Sequence, residues 1–286
     1  MLGNHLLGLY EKALPGELCW EERFAAVKRL GFDFIELSVD ESDERIARLY
    51  TGAQERRRLL RAAENTGVRI QSLCLSAHRR FPFGSANAHI RQKGRDIAER
   101  SIAYALDLGI RVIQVAGYDV YYEPSSAQSR AAFLDGLKAF VSEAEKHQVM
   151  LAIEIMDTDF ISSVTAYQKI KAEVPSPWLA LYPDLGNLSA WNKNVSEQLE
   201  LGRNEIVAVH IKDTLAPCGT FAGQFKSVQF GSGCVDFPAA FRKLEDIGFC
   251  GPYLIEMWCR QGSGAEHEIR SALSFVRRQY EKGLSE

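Results

Sequence analysis

The feature that most constrains the fold is a repeated alternation of short apolar runs with segments of helical periodicity. Alternating strands and helices predict a parallel sheet, and eight such units predict a sheet that closes into a barrel. We therefore predict one (β/α)8 TIM barrel of the α/β class, spanning residues 1–286 as a single domain. The eight strand-like runs cover residues 6–10, 34–37, 70–75, 112–116, 150–154, 179–184, 206–210 and 253–256.

Glycines mark where several of the predicted helices end. Gly31, Gly67, Gly109 and Gly248 each stand just before the next strand-like run, as a left-handed helix C-cap requires. The length of 286 residues also suits one barrel, which typically takes about 250. The segments with helical periodicity include residues 21–30, 54–66, 90–108, 130–147 and 265–280.

The composition narrows the class of function. Hydrophobic residues make up 46% and charged residues 25% of the chain, which is ordinary for a soluble protein. No apolar run approaches the ~20 residues of a membrane span, and no basic segment followed by a long apolar stretch opens the chain. We predict a cytoplasmic protein with no membrane partner. A net charge of −3 gives no overall reason to bind nucleic acid, so small-molecule chemistry is favoured.

Four residues able to bind a metal occur at the ends of four consecutive strand-like runs. They are Glu154, Asp184, His210 and Glu256. Taken singly, each is explained as a helix N-cap or a solvated loop residue. The carboxyl ends of parallel barrel strands open on one face, however, so residues far apart in sequence converge there. The series therefore predicts one shared site.

The ligand types indicate the chemistry of that site. Three carboxylates and one imidazole suit Mn²⁺ or Zn²⁺, whereas structural zinc cages are usually rich in cysteine. A divalent ion there can bind two adjacent sugar oxygens and stabilise the charge that develops when a proton leaves a carbon beside a carbonyl. Two glutamates on separated strands, Glu154 and Glu256, can reach opposite faces of that carbon. This arrangement predicts inversion of a stereocentre.

Two groups of residues are candidates for binding an anionic part of the substrate. Arg79 and Arg80 follow the third strand, where a guanidinium can grip an anion through two hydrogen bonds; the alternative is a surface salt bridge. Gly231 and Gly233 can present backbone N–H groups to a phosphate, or they only form a turn.

Three further residues are candidates for substrate contacts. Lys212 can contact a substrate oxygen or a phosphate. Glu36 can bind sugar hydroxyls, or it pairs with a nearby basic residue. His78 can donate to a sugar hydroxyl, or it orients a neighbouring loop. We interpret Trp191 and Trp258 as pocket wall or core.

Six segments resemble those of the bacterial L-ribulose-5-phosphate 3-epimerase family, also called L-xylulose-5-phosphate 3-epimerases. The similar segments run from the first strand to the last, and the AHRRF and YDVYY strings within them are longer than a generic barrel requires. The segments are LYEKALP (9–15), GFDFIELSVD (31–40), CLSAHRRFP (74–82), RVIQVAGYDVYY (111–122), LYPDLGNLSAW (181–191) and GPYLIEMW (251–258).

The resemblance carries implications for the site and the reaction. It implies a xylose-isomerase-like barrel with one divalent metal held by Glu154, Asp184, His210 and Glu256, of which Glu154 and Glu256 also serve as the acid/base pair. The implied reaction interconverts L-ribulose 5-phosphate and L-xylulose 5-phosphate by removal and return of the C3 proton through a cis-enediolate. A homodimer is plausible for such a barrel, although the sequence shows no interface signature.

One departure and several alternatives remain. The segment of residues 214–228 is longer than we expect for the family. We therefore predict that this loop covers the site differently from the corresponding loop of the family. The first alternative is an aldose–ketose isomerase, or an epimerase that acts on an unphosphorylated sugar. A DNA-repair endonuclease on the same barrel would need several more histidines and a basic groove, and a non-catalytic sugar-binding barrel would need no metal for its function.

Overall fold

The computed structural model describes residues 1–259 and 264–285. Eight parallel strands form the sheet, in the order β6-β5-β4-β3-β2-β1-β8-β7. Single parallel bridges from Leu181 to Ile206 and from Asp184 to His210 join the two outer strands, which nearly closes the barrel. The prediction of a (β/α)8 barrel is confirmed. The strands are β1 (Leu7–Tyr10), β2 (Phe34–Val39), β3 (Arg69–Leu75), β4 (Val112–Ala116), β5 (Met150–Glu154), β6 (Leu179–Tyr182), β7 (Val209–Ile211) and β8 (Tyr253–Ile255).

Helices follow the strands and surround the barrel. Each predicted helix is present, and two begin two or three residues earlier than their apolar periodicity suggests. The reason is capping, because the side chains of Asn87 and Ser126 accept hydrogen bonds from the first turns of the fourth and fifth helices. The helices are α1 (Trp20–Leu30), α2 (Asp43–Ala47), α3 (Ala53–Thr66), α4 (Ala88–Leu108), α5 (Ala127–His147), α6 (Val164–Glu173), α7 (Leu185–Trp191), α8 (Val195–Leu201), α9 (Phe237–Asp246) and α10 (Ala265–Ser285).

The predicted glycine stops have the backbone conformation that they require. Gly31, Gly67 and Gly109 cap α1, α3 and α4 with φ angles of 85°, 70° and 68°, values at which a residue with a Cβ atom would be strained. Gly248 after α9 has a φ of 72°. None of the helices in the described part of the chain is both long and apolar enough to cross a membrane.

The register of the sheet selects which side chains face the barrel interior. Paired residues on neighbouring parallel strands point to the same face. The pairs are Glu36 with Ser72, Glu154 with Tyr182, and Asp184 with His210. Their neighbours along the strands, such as Ile153 and Ile211, belong to the apolar core that includes residues of the surrounding helices. The polar interior thus lies at the carboxyl end of the barrel.

Candidate metal centre and active site

The four predicted metal ligands meet in one buried cluster. One ligand atom from each of Glu154, Asp184, His210 and Glu256 lies within 4.8 Å of the others. His210 Nδ1 is 3.0 Å from Glu154 Oε1, 3.8 Å from Asp184 Oδ2 and 3.9 Å from Glu256 Oε2. Strands β5, β6, β7 and β8 therefore aim all four side chains at one point.

The opposite side of the His210 ring is held by Glu36. His210 Nε2 is 2.9 Å from Glu36 Oε1, and both side chains are fully buried. Ser72 Oγ and Tyr182 Oη donate to the other Glu36 oxygen at 2.6 Å and 3.1 Å. This carboxylate fixes the imidazole so that Nδ1 faces the cluster. Of the two interpretations of Glu36, the structure favours pairing with a basic residue over contact with sugar hydroxyls.

Asp184 is both a helix N-cap and a candidate metal ligand. Its Oδ1 accepts the backbone N–H of Asn187 at 2.7 Å and so caps α7. Its Oδ2 is buried and, like Glu256 Oε2, accepts no hydrogen bond of good geometry; its only neighbour of opposite charge besides His210 is the Lys212 ammonium, 3.0 Å away in the described structure. Buried polar atoms normally have partners. Two such oxygens beside an imidazole nitrogen are a donor set that fits a divalent metal ion.

Lys212 lies at the edge of this cluster, as a candidate substrate contact should. Its Nζ is 3.0 Å from Asp184 Oδ2 and 3.0 Å from Glu256 Oε2, and the residue is buried. Four buried carboxyl groups lie around His210 and Lys212 when Glu36 is included, so two basic side chains face four acidic ones. A divalent cation would supply the missing compensation, since uncompensated buried charge is costly.

The pKa values of the two glutamates are shifted in opposite directions. Burial raises the pKa of Glu154, with His210 opposing it. Burial acts in the same direction on Glu256, but the charges of Lys212 and His210 outweigh it and lower the pKa of Glu256 to about 2. Burial raises the pKa of Asp184 to about 7. Paired carboxyl groups with separated pKa values are typical of acid/base sites.

Glu36 contacts His210, and Gln114 contacts Glu154. Burial would lower the pKa of His210, but Glu36 and the other carboxylates raise it well above its ordinary value. The Gln114 side-chain amide donates to Glu154 Oε2. Sequence reasoning missed Gln114, although a polar residue inside the otherwise apolar β4 is a usable signal.

A cavity opens above the cluster and contains both glutamates. Four cationic side chains line it together with Asp157 and Trp258, and the loop after β7 contributes to its wall. Its lining residues are Tyr10, Lys12, Cys74, Ser76, Arg79, Glu154, Met156, Asp157, Asn187, Lys212, Phe225, Lys226, Glu256 and Trp258. Trp258 is pocket wall, while Trp191 stacks on Phe225 at a ring distance of 5.8 Å.

Arg79 faces the cavity as the anion-binding prediction requires. Its side chain is 11% exposed, and it donates to Tyr118 Oη at 3.0 Å. The guanidinium lies 4.7 Å from the Tyr121 ring centroid, and its Nε is buried without a hydrogen-bond partner. Tyr118 in turn donates to Asp157. Arg79 thus has donor capacity left for a ligand.

Arg80, the second arginine of the pair, does not line the cavity, and its contacts favour the alternative of a surface salt bridge. It donates to Asp43 Oδ1 at 2.7 Å and to the Glu41 carbonyl at 3.1 Å, and its side chain is 46% exposed. The short 3-10 helix Ser76–Arg79 turns the two neighbouring side chains in different directions. Arg80 therefore forms the surface salt bridge of the alternative interpretation.

His78 is buried and does not line the cavity. It is 2% exposed, its Nε2 lies 3.1 Å from the Gly94 carbonyl in α4, and its ring packs 4.4 Å from that of Phe83. Burial lowers the pKa of His78 to about 4, so the ring is neutral near pH 7. The residue connects the 3-10 helix to α4, in agreement with the orienting role.

The amides of Gly231 and Gly233 already hold an anion, which contradicts their assignment to phosphate. Both donate to Asp213 Oδ2, at 2.8 Å and 2.9 Å. Asp213 Oδ1 accepts the Thr214 amide at 2.9 Å. A Cβ atom on Gly233 would lie 2.0 Å from Asp213 Oδ1, so only glycine fits. The Gly-x-Gly turn therefore anchors the loop to the end of β7.

Besides Gln114, the structure adds three charged residues to the predicted set. Lys12 follows β1 and forms an ion pair with Asp40, which itself follows β2. Asp157 follows β5, and Lys226 lies in the long loop after β7. The position of Lys12 and Asp157 just after strands is a signal that sequence analysis can use. Lys226 gives no such signal, because it lies far from its strand.

Known proteins with similar sequences include barrel proteins and sugar-phosphate epimerases. The family model of the xylose isomerase-like TIM barrel matches residues 24–279. A putative L-ribulose-5-phosphate 3-epimerase of Escherichia coli K12 is 49% identical over 273 residues, which is 96% of each chain. The L-ribulose-5-phosphate 3-epimerase UlaE of another Escherichia coli strain is 48% identical over 271 residues, covering 95% of this chain and 93% of the relative.

The chain belongs to the L-ribulose-5-phosphate 3-epimerase family of xylose isomerase-like barrels. The predictions of this family and of an epimerase enzyme are confirmed. A homologue from Haemophilus influenzae, also named a putative L-ribulose-5-phosphate 3-epimerase, is 47% identical over 98% of each chain.

Solved structures of more distant proteins share the fold. A structure of L-ribulose 3-epimerase superposes with a TM-score of 0.77 at 18% identity, covering 98% of this chain and 95% of the other. The 3-keto-D-glucoside 4-epimerase YcjR of E. coli has a TM-score of 0.77 at 20% identity, with 96% and 99% covered. At these identities the likeness concerns the barrel alone.

Proposed function

We propose that the protein interconverts L-ribulose 5-phosphate and L-xylulose 5-phosphate by inverting C3, with one divalent metal ion, Zn²⁺ or Mn²⁺, as cofactor. The observation that supports this most directly is the placement of Glu154 and Glu256. They extend from β5 and β8, three strands apart around the barrel, into one cavity. A carbon held between them can lose a proton on one face and gain one on the other.

The two glutamates share the work by their positions. For one epimer, one of them removes the C3 proton as a carboxylate, and the other, in its acid form, supplies a proton to the opposite face. The roles exchange when the other epimer reacts, because the same transition states serve both directions. Gln114 fixes the Glu154 carboxyl for this transfer.

The other residues of the site bind and orient. Glu154, Asp184, His210 and Glu256 would hold the metal, and Lys212 lies within reach of a substrate oxygen beside them. When bound, a divalent ion would supply a Lewis acid for the O2 and O3 oxygens and so stabilise negative charge beside C3. Arg79 is the proposed contact for the 5-phosphate.

The direct test is a solvent-exchange experiment. The metal-loaded protein is incubated with L-xylulose 5-phosphate in D₂O, and deuterium at C3 and the appearance of L-ribulose 5-phosphate are followed by NMR. We expect deuterium in the product at C3 and at no other carbon. Deuterium at C1 together with an aldose product would instead identify an aldose–ketose isomerase.

A second candidate is the epimerisation of an unphosphorylated ketose. The cations around the cavity favour a phosphorylated substrate over this candidate. Equal kcat/KM for L-xylulose and its 5-phosphate would support the unphosphorylated alternative. We further propose that the enzyme acts in the cytoplasm. We also propose that it forms a homodimer, which light scattering of the purified protein can test.

A further inference from the structure

The loop after β5 brings an acidic side chain into the active-site cavity. Strand β5 ends at Glu154, and the backbone N–H of Met156 donates to the Ile161 carbonyl at 2.9 Å, which closes residues 156–161 into a short loop. Asp157 lies in this loop, is half-buried and lines the same cavity as Glu154. Its carboxylate therefore borders the space that a substrate would occupy.

Three other aspartates that follow strands have a visible structural task. Asp40, Asp184 and Asp213 each accept at least one backbone N–H and so hold a loop or cap a helix. In the part of the chain that the structure describes, no backbone N–H donates to the Asp157 carboxylate, and no lysine or arginine nitrogen lies within 4.0 Å of it. Within those residues, Asp157 is neither a helix cap nor a member of a direct salt bridge.

One buried tyrosine fixes the direction of the Asp157 carboxylate. Tyr118 is 1% exposed, and its hydroxyl donates to Asp157 Oδ1. The same hydroxyl accepts a hydrogen bond from Arg79 at 3.0 Å, so it cannot turn away without losing both contacts. The other carboxylate oxygen, Oδ2, accepts from no donor among the described residues and is not buried, so a ligand can reach it.

The position of Asp157 selects one hydroxyl of the proposed substrate. C3 would lie between Glu154 and Glu256, and Arg79 is the proposed contact of the 5-phosphate, so C4 lies between these two points. Asp157 has the same intermediate position. It follows Glu154 by three residues, and its partner Tyr118 also contacts Arg79. A hydroxyl that donates to a carboxylate forms a charge-assisted hydrogen bond, which is stronger than a neutral one.

We propose that Asp157 is a specificity-determining residue that accepts the C4 hydroxyl of the substrate. This inference rests on the proposed function and extends it to a part of the sugar that takes no part in the proton transfer at C3. A site that accepts a hydroxyl rejects the analogue without it, because the acceptor is then left unpaired. The enzyme therefore prefers ketose phosphates that carry a 4-hydroxyl group.

The kinetic test compares Asp157→Ala with Asp157→Asn and with the control Asp159→Asn, which changes an exposed acidic residue of the same loop. For the metal-loaded enzymes, kcat/KM is measured with L-xylulose 5-phosphate and with its 4-deoxy and 1-deoxy analogues. We expect Asp157→Ala to lose about ten- to hundred-fold on L-xylulose 5-phosphate, the range of a charge-assisted hydrogen bond, and to match the parent on the 4-deoxy analogue. Asp157→Asn keeps a neutral acceptor and should lose less, and the control should match the parent on all three sugars.

Two outcomes of these kinetics would overturn the proposal. The first is an equal loss on L-xylulose 5-phosphate and on its 4-deoxy analogue, or no loss on either, because the C4 hydroxyl then has no part in the effect of Asp157. The second is a loss that disappears with the 1-deoxy analogue instead, which would assign the carboxylate to the C1 hydroxyl.

A binding measurement separates this inference from the proposed reaction. The ligand is the pentitol 5-phosphate obtained by reducing the C2 carbonyl of L-xylulose 5-phosphate, which cannot form an enediolate. Calorimetry compares the parent with Asp157→Ala on this pentitol and on its 4-deoxy form. Weaker binding of the 4-hydroxylated pentitol alone by the variant supports the contact even if the parent exchanges no C3 proton in D₂O. Equal affinity of the parent and the variant for that pentitol would overturn the contact, while C3 exchange would still uphold the reaction.

Discussion

Glu36 Oε1 lies 2.9 Å from His210 Nε2, at the bottom of a site whose other face is formed by Glu154, Asp184 and Glu256. This contact sets which ring nitrogen faces the cluster, because the ring cannot turn without breaking it. Ser72 and Tyr182 fix Glu36 in the same way. Glu36, a candidate sugar contact in the sequence, thus positions His210, a candidate metal ligand.

The first prediction concerns this contact. Glu36→Gln keeps the side-chain shape but removes the charge that orients and polarises His210. We expect metal affinity to fall about 10- to 100-fold, the usual effect of losing such a partner. Competition with a metal chelator measures it without reference to activity. Ser72→Ala is the matched control, since it removes one neutral hydrogen bond and leaves the carboxylate in place. Unchanged affinity in Glu36→Gln would contradict the positioning role.

The second prediction separates the two roles of Asp184. Asp184→Asn retains a good N-cap for α7, whereas Asp184→Ala loses the cap at a cost of about 1 kcal/mol. Both variants should lose bound metal and activity together, because each lacks the carboxylate oxygen. Elemental analysis and thermal unfolding measure the two effects. His210→Ala should lose metal as well, and full metal content in these variants would refute the ligand set.

The third prediction concerns the two glutamates. Glu154→Gln and Glu256→Gln should each abolish epimerisation, because inversion needs one group on each face of C3. With one epimer in D₂O, the variant that keeps the abstracting glutamate should still exchange the C3 proton, and the other should not. With the other epimer the two variants should exchange behaviours. Metal content is measured alongside, and near-parental epimerisation by a metal-replete variant would exclude the mechanism.

The fourth prediction uses the two adjacent arginines as a matched pair. Arg79→Ala should raise KM for the sugar phosphate about ten-fold or more, since it removes charge-assisted hydrogen bonds from the cavity. Arg80→Ala should leave KM near the parental value, because Arg80 contacts Asp43 at the surface. Steady-state kinetics on both variants decides the matter. A larger effect at Arg80 would reverse the assignment.

The fifth prediction concerns the anchor of the loop. Gly233→Ala forces a Cβ atom against Asp213, so we expect a loss of about 1–3 kcal/mol in unfolding free energy. Activity should fall too, because the same loop carries Phe225 and Lys226. Gly16→Ala is the control, since nothing lies within 4 Å of its added Cβ atom. Equal stability of the two variants in urea unfolding would show that the turn tolerates a side chain.

The barrel and the cluster of four candidate metal ligands were predictable because their signals are local. Apolar runs, glycine stops and cap residues act within a few neighbours along the chain, so strand β5 and the end of α3 at Gly67 are visible in the sequence. Glu154 and Glu256 then follow from the geometry of the fold, since strand ends in a parallel barrel converge whatever the intervening sequence. The same logic, applied to Lys12 and Asp157, would have placed them at the site.

What the tertiary structure alone decided is the direction in which side chains point and which partners they meet. Arg79 and Arg80 are chemically identical neighbours, yet a turn of 3-10 helix sends one to the cavity and the other to Asp43. Gly231 and Gly233 form an anion-binding turn, but Asp213 fills it. Glu36 meets His210 across 174 positions of chain. Local sequence determines secondary structure, whereas these contacts depend on how distant strands and loops pack around one interior.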